Sequence, residues 1–151
     1  MIRLVWVGRT KDPAAAGWIQ EYRRRITHFC RVEIDEVRDA AGKGQGRAAR
    51  EAQALLGKLA ARAGLIVLLD EEGTEMTSRE FARFLDTSIA ARSEVTFVLG
   101  GPEGLGPELR AATGPRLSLS RMTLPHEVAR VVLMEQIFRA FSILKGTPYH
   151  R

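Results

Sequence analysis

The chain has 151 residues, enough for one compact domain and short for two. Its 45% hydrophobic and 27% charged residues are the balance of a chain that buries a core, which excludes a disordered or fibrous protein; the single cysteine, Cys30, excludes a disulfide framework within the chain. The net charge of +5, carried mostly by arginine, suits contact with phosphates and bases, although charge alone raises a nucleic-acid reading only modestly.

Residues 2–7 are a short apolar run ended by Gly8 and predict a strand. Residues 14–29 carry Trp18, Ile19, Tyr22 and Ile26 at helical spacing, with Arg23, Arg24 and Arg25 beside them. Residues 31–37 alternate Val32, Ile34 and Glu36 with Glu33, Asp35 and Val37, the pattern of a weak edge strand. Residues 40–46 read as a loop, and residues 47–63 as an Ala- and Leu-rich helix stopped by Gly64.

Residues 65–69 are continuously apolar, as a parallel strand covered on both faces requires. Asp70-Glu71-Glu72 could chelate magnesium, but a solvated turn after a strand is the commoner case. Thr77 and Glu80 have capping-box spacing ahead of Phe81, Phe84, Leu85 and Ile89. Residues 95–99 form a second buried strand that runs straight into Gly100-Gly101-Pro102-Glu103-Gly104, followed by a short helix over 107–112 and a short strand over 116–119. Residues 127–144 are apolar on nearly every side. Such a helix is buried on every side, so it is expected to pack on its own sheet and against a second subunit, with a two-fold homodimer as the default. Alternating strands and helices predict an α/β fold with a mostly parallel sheet, and no linker or repeat divides the chain.

No run approaches the roughly 18–20 apolar residues that span a bilayer. The N-terminus lacks the charged start, long apolar stretch and small-residue cleavage site of a signal peptide, so a cytoplasmic location is expected.

Three segments are candidates for chemistry. A strand running into a glycine-rich loop and then a helix is a usual site for a nucleotide-like ligand, at the carboxyl end of a parallel sheet. The loop at Gly100 matches neither the dinucleotide fingerprint nor a P-loop, and it reads equally as a tight turn whose glycines supply positive φ. Residues 117–126 offer hydroxyls, apolar side chains and Pro125 in an extended stretch that fits around a ligand; the plainer reading is a loop with Ser120 or Thr123 as a cap. The tail Tyr149-His150-Arg151 holds three groups that stack on or pair with a base and phosphate, where a solvated stub is the usual case. Cys30 reads as a packed small residue, the three histidines are too dispersed for zinc, and Glu135 with Arg139 reads as an ion pair.

In order, Gly100-Gly101-Pro102-Glu103-Gly104-Leu105, Leu117-Ser118-Leu119-Ser120, Met122-Thr123-Leu124-Pro125-His126, Arg130, Glu135-Gln136, Arg139-Ala140 and Pro148-Tyr149-His150-Arg151 resemble the large-subunit ribosomal RNA pseudouridine-N3 methyltransferases of the SPOUT superfamily. The resemblance spans the chain and is most specific in the C-terminal third. Arg9, Glu127 and Phe138 depart from it at positions away from the donor contacts.

The resemblance implies a C-terminal trefoil knot, a homodimer, S-adenosylmethionine as methyl donor and no metal. Its substrate would be N3 of pseudouridine 1915 in 23S rRNA of the assembled ribosome. Matched by position, Leu69, Gly100, Ser120, Arg121, Met122, Thr123, Leu124 and Pro125 would contact the donor. Tyr149, His150 and Arg151 would serve the transfer from the other subunit, while Arg23, Arg24, Arg25, Lys43 and Arg47 are candidates for RNA phosphate contact. The competing readings are a non-catalytic ribosome-binding factor of the same fold and an α/β enzyme using another nucleotide.

Overall fold

The computed structural model describes residues 1–60, 64–112 and 114–150, without the side chains of Ala112 and His150. Five strands, β1 (Ile2–Val7), β2 (Val32–Val37), β3 (Leu65–Glu75), β4 (Val95–Leu99) and β5 (Arg116–Ser118), form one sheet in the order β2-β1-β4-β3-β5. Every pairing is parallel. The helices are α1 (Pro13–Ile26), α2 (Gly44–Leu59), α3 (Ser78–Arg92), α4 (Pro107–Ala112) and α5 (His126–Leu144), with a 3-10 turn at Pro148–His150.

Strand alternation sorts the core into two layers. Ile2, Leu4 and Trp6 of β1, with Val95, Phe97 and Leu99 of β4, pack against Ile19, Tyr22 and Ile26 of α1, Phe81 and Leu85 of α3, and Leu133, Met134 and Ile137 of α5. Val5, Val7 and Val98 face the other way, onto Ala52, Leu55 and Leu59 of α2 and Leu109 of α4. Both faces are covered, which is why β1 and β4 are apolar at nearly every position.

Local signals set most boundaries. Asp12 caps α1 by accepting from the Ala15 amide at 2.8 Å, with Pro13 in the first turn. Thr77 and Glu80 form the expected capping box. The edge strand over 32–37 and the short helix at 107–112 lie where they were expected.

Three boundaries differ by more than one residue. Helix α1 stops at Ile26 rather than residue 29, where the Thr27 hydroxyl donates to the Arg24 carbonyl at 2.6 Å and the chain turns. Helix α2 begins at Gly44, inside the expected loop, because Arg50 reaches back to the Ala41 carbonyl and ties that loop to the first turns. Its expected extension over 61–63 lies outside the described residues.

The third difference matters most. Strand β3 does not end at Leu69, and of Asp70-Glu71-Glu72, expected as a solvated turn, Asp70 is buried within the strand while Glu71 and Glu72 are exposed. Leu69 and Thr74 both align with Leu117, so residues 70–73 bulge out of the ladder. Asp70, its side chain only 2% exposed, is drawn inward by Arg110 at 3.1 Å and Arg116 at 3.3 Å. Gly73 permits the return, since a Cβ there would stand 2.7 Å from the Leu117 carbonyl carbon.

Within the chain α5 is flanked by α1 and α3, which cover more of it than its all-round apolarity suggested. Val128 remains 45% exposed beside Trp18 of α1 at 53%, and together with Ala15 and Val131 they line an apolar groove of about 520 Å³. No helix among the described residues is long and apolar enough to cross a membrane.

Candidate functional site

The carboxyl ends of β3 and β4 open into a cleft of about 700 Å³. Three segments wall it: Leu69 to Glu71 from the β3 bulge, Leu99 to Leu105 after β4, and Leu119 with Thr123 to His126 ahead of α5.

The turn after β4 folds back hard on itself. The Gly104 amide donates to the Gly101 carbonyl at 2.9 Å, and Gly104 adopts φ +75°. Gly100 is required for a different reason: a Cβ there would stand 2.5 Å from the Gly104 oxygen and 2.6 Å from its carbonyl carbon. The glycines make the tight turn, and the same turn forms one wall of the cleft.

The facing wall is tied across the opening. The Thr123 hydroxyl donates to Glu71 at 2.9 Å, joining the pre-α5 segment to the β3 bulge. Arg110 also lines the cleft and is oriented by Asp70. His126 stands at the start of α5, where burial, with the Arg130, Arg47 and Lys11 cations, holds its imidazole below the ordinary range despite Glu127. Its ring is therefore neutral at pH 7. Glu127 accepts from the Lys11 and Asp12 amides at 2.7 and 2.9 Å, pinning the β1–α1 loop to α5.

Of the residues expected to hold the donor, Leu69, Gly100, Thr123, Leu124 and Pro125 line this cleft. Ser120, Arg121 and Met122 do not. Ser120 instead accepts from the Met122 amide at 3.0 Å, a local turn that leaves Met122 77% exposed. Glu71 and Arg110 line the cleft from outside the candidate ligand segments, while Glu103 and His126 belong to those segments without being named as donor contacts. For Arg110 no local signal exists, because its orientation depends on Asp70, 40 positions away.

Tyr149 packs on Phe138 and is not among the residues lining the cleft of its own chain. The His150 side chain and Arg151 lie outside the described residues.

The candidate RNA-contacting cations divide. Arg24 and Arg25 both hold Glu21, with Arg24 65% exposed at its side chain and Arg25 turned over the Tyr22 and Phe138 rings. Arg23 is half-buried and Lys43 exposed. Arg47, 19% exposed, is held at 2.8 Å by the buried Glu51, so its first role is to hold α2 together. Glu135 and Arg139 form the expected ion pair at 2.7 Å. Among the described residues no group of acidic, histidine or cysteine side chains is arranged to hold a metal ion.

Residues 1–150 match a protein-family profile described as "Predicted SPOUT methyltransferase". A protein of Geotalea daltonii named ribosomal RNA large subunit methyltransferase H is 40% identical over 151 residues, covering 99% of this chain and 98% of that protein. A protein of the same name from Anaeromyxobacter dehalogenans is 42% identical over 153 residues, covering 99% of each. Among solved structures, a probable methylase family protein from Haemophilus influenzae superposes with a TM-score of 0.59 at 16% identity, over 99% of this chain and 70% of that one. A probable methyltransferase from Bordetella pertussis gives a TM-score of 0.55 at 13% identity, over 92% and 95%. These two likenesses are of fold.

Proposed function

Because the chain belongs to the SPOUT methyltransferase family, we propose that it transfers a methyl group from S-adenosylmethionine to N3 of pseudouridine 1915 in 23S rRNA of the assembled ribosome. The cytoplasm is then its place of action and a homodimer its working form. The observation that carries the proposal is the cleft in which the Gly100 turn and the Thr123–Pro125 stretch face each other.

The lining suits that donor. Leu69, Leu99, Leu119 and Leu124 offer apolar walls, and the turn and the pre-α5 segment offer peptide groups for an adenine edge. Glu71 and Glu103 bring negative charge to a cleft that would receive a sulfonium, and Arg110 brings a partner for the donor's carboxylate. The donor supplies an electrophilic methyl carbon. Threading of the pre-α5 segment through the preceding loops, as a trefoil knot, would hold both walls together without a disulfide or metal.

The N3 atom of pseudouridine carries a proton that must leave as its lone pair attacks, and negative charge then develops on the flanking carbonyls. Arg151 neutralises that charge and His150 relays the proton. Both come from the partner subunit, since the tail's own chain packs Tyr149 away from its cleft. The apolar groove at Trp18 and Val128 is the face on which a second copy would lie. N3 is on the base-pairing edge, so the target base must be unpaired or flipped out. Arg24 and Lys43, exposed on α1 and before α2, are the best placed of the candidate phosphate contacts.

Deletion of residues 149–151 tests the tail. Turnover on ribosomes lacking the methyl group is expected to vanish, while calorimetric titration shows donor binding intact. Unchanged turnover refutes the tail's role.

A further inference from the structure

The reading above leaves open what the tyrosine of the tail does. A free aromatic ring at a chain end suits stacking on a base, but Tyr149 is not free. After α5 the chain turns back at Gly146, φ +66°, and the Thr147 amide donates to the Ser142 carbonyl at 2.9 Å. The ring then meets Phe138 edge-on at 4.6 Å, and the Arg139 guanidinium lies 5.0 Å from its centroid. Its hydroxyl donates to Glu135 at 3.3 Å and lies 3.2 Å from the hydroxyl of Tyr22. A phenol has one proton to give, so with that proton on Glu135 it accepts from Tyr22. Tyr22 is itself only 8% exposed and stacked on Trp18, and Glu135 is fixed by Arg139.

We propose that Tyr22 of α1 and Glu135 of α5 form a seat for the tail, and that Tyr149 is a positioning residue whose hydroxyl sets the point from which His150 and Arg151 reach the RNA base. This rests on the reading that the tail serves the transfer. Burial, the Tyr22 bond and the Glu135 carboxylate together hold the Tyr149 phenol above its ordinary value, so it is no base at neutral pH. One ring face is given to Arg139 and one edge to Phe138, and the hydroxyl is engaged by Glu135 and Tyr22.

The test compares Tyr22→Phe, Tyr149→Phe and the double variant in single-turnover methylation of ribosomes, with active sites counted by donor titration. Each variant keeps its ring and loses one hydroxyl. Each single substitution is expected to lower the rate constant about tenfold, near the upper worth of a hydrogen bond. Donor affinity and the KM for ribosomes should stay unchanged, and the double variant should be no slower than either single one. Amide exchange over residues 145–149 should quicken in Tyr22→Phe, a readout independent of turnover. A rate loss confined to Tyr149→Phe overturns the seat and puts that hydroxyl on the substrate. Unchanged exchange in Tyr22→Phe also overturns it. If the seat fails while deletion of residues 149–151 still abolishes turnover, the tail reading stands; if deletion has no effect, both fall.

Discussion

Gly100→Ala is expected to weaken S-adenosylmethionine binding by at least about tenfold, a loss of roughly 1.4 kcal/mol or more. The added methyl carbon would stand 2.5 Å from the Gly104 oxygen and 2.6 Å from its carbonyl carbon. Both atoms are backbone, so no side chain can swing aside; the turn must open. Opening it breaks the Gly104-to-Gly101 hydrogen bond at 2.9 Å and re-aims the peptide groups that face the cleft. Strand β4 ends at Leu99, ahead of the turn, so the sheet should survive and the melting temperature should change little. Gly57→Ala is the matched control: that glycine lies in α2 with open space where a Cβ would go, and its donor affinity should equal the parent's. Calorimetric titration of both variants decides the matter, and parental affinity in Gly100→Ala would remove the turn from the donor site.

Arg130→Met should produce the largest loss of stability. Arg130 is fully buried in α5, where its guanidinium donates to the Val7 carbonyl and, at 2.9 Å, to Thr10, while its plane lies 4.9 Å from the Trp6 ring centroid. It therefore joins the carboxyl end of β1 to the helix that carries His126 and Glu127. Burial pushes this guanidinium below its ordinary value, partly offset by Glu127 and Glu36, yet it stays a cation. Methionine fills similar volume but removes the guanidinium donors from the Val7 carbonyl and the Thr10 hydroxyl. The cost is about 3 kcal/mol, which for a chain of this length lowers the melting temperature by roughly 6–12 °C. Lysine should recover only part, since a single ammonium cannot span both acceptors as the fork does. A scan showing an unshifted transition for Arg130→Met would contradict this assignment.

Much of this fold is written locally. The apolar runs at 2–7, 65–69 and 95–99, the Thr77–Glu80 cap and Asp12-Pro13 each act over a few residues, and such signals survive without tertiary context. The β3 bulge does not announce itself, because the inward pull on Asp70 comes from Arg110 and Arg116, 40 and 46 positions later. The grip of Glu127 on the Lys11 and Asp12 amides spans 116 and 115 positions and is equally silent.

The site divides in the same way. Leu69, Gly100 and the run from Ser120 to Pro125 enter through the family resemblance, matched by position, and of these Leu69, Gly100 and Thr123 to Pro125 line the cleft. Ser120, Arg121 and Met122 stand outside it, the Ser120 turn leaving Met122 exposed. Tyr149 reads in sequence as a free aromatic, and only the approach of α1 to α5 reveals its partners.

The donor cleft is tested most directly by amide hydrogen exchange of the intact protein with and without S-adenosylmethionine. Added donor should slow exchange over residues 100–105 and 123–126 together, the two walls of one cleft. Slowing in only one of these segments, or in neither while the donor is bound, would contradict the account.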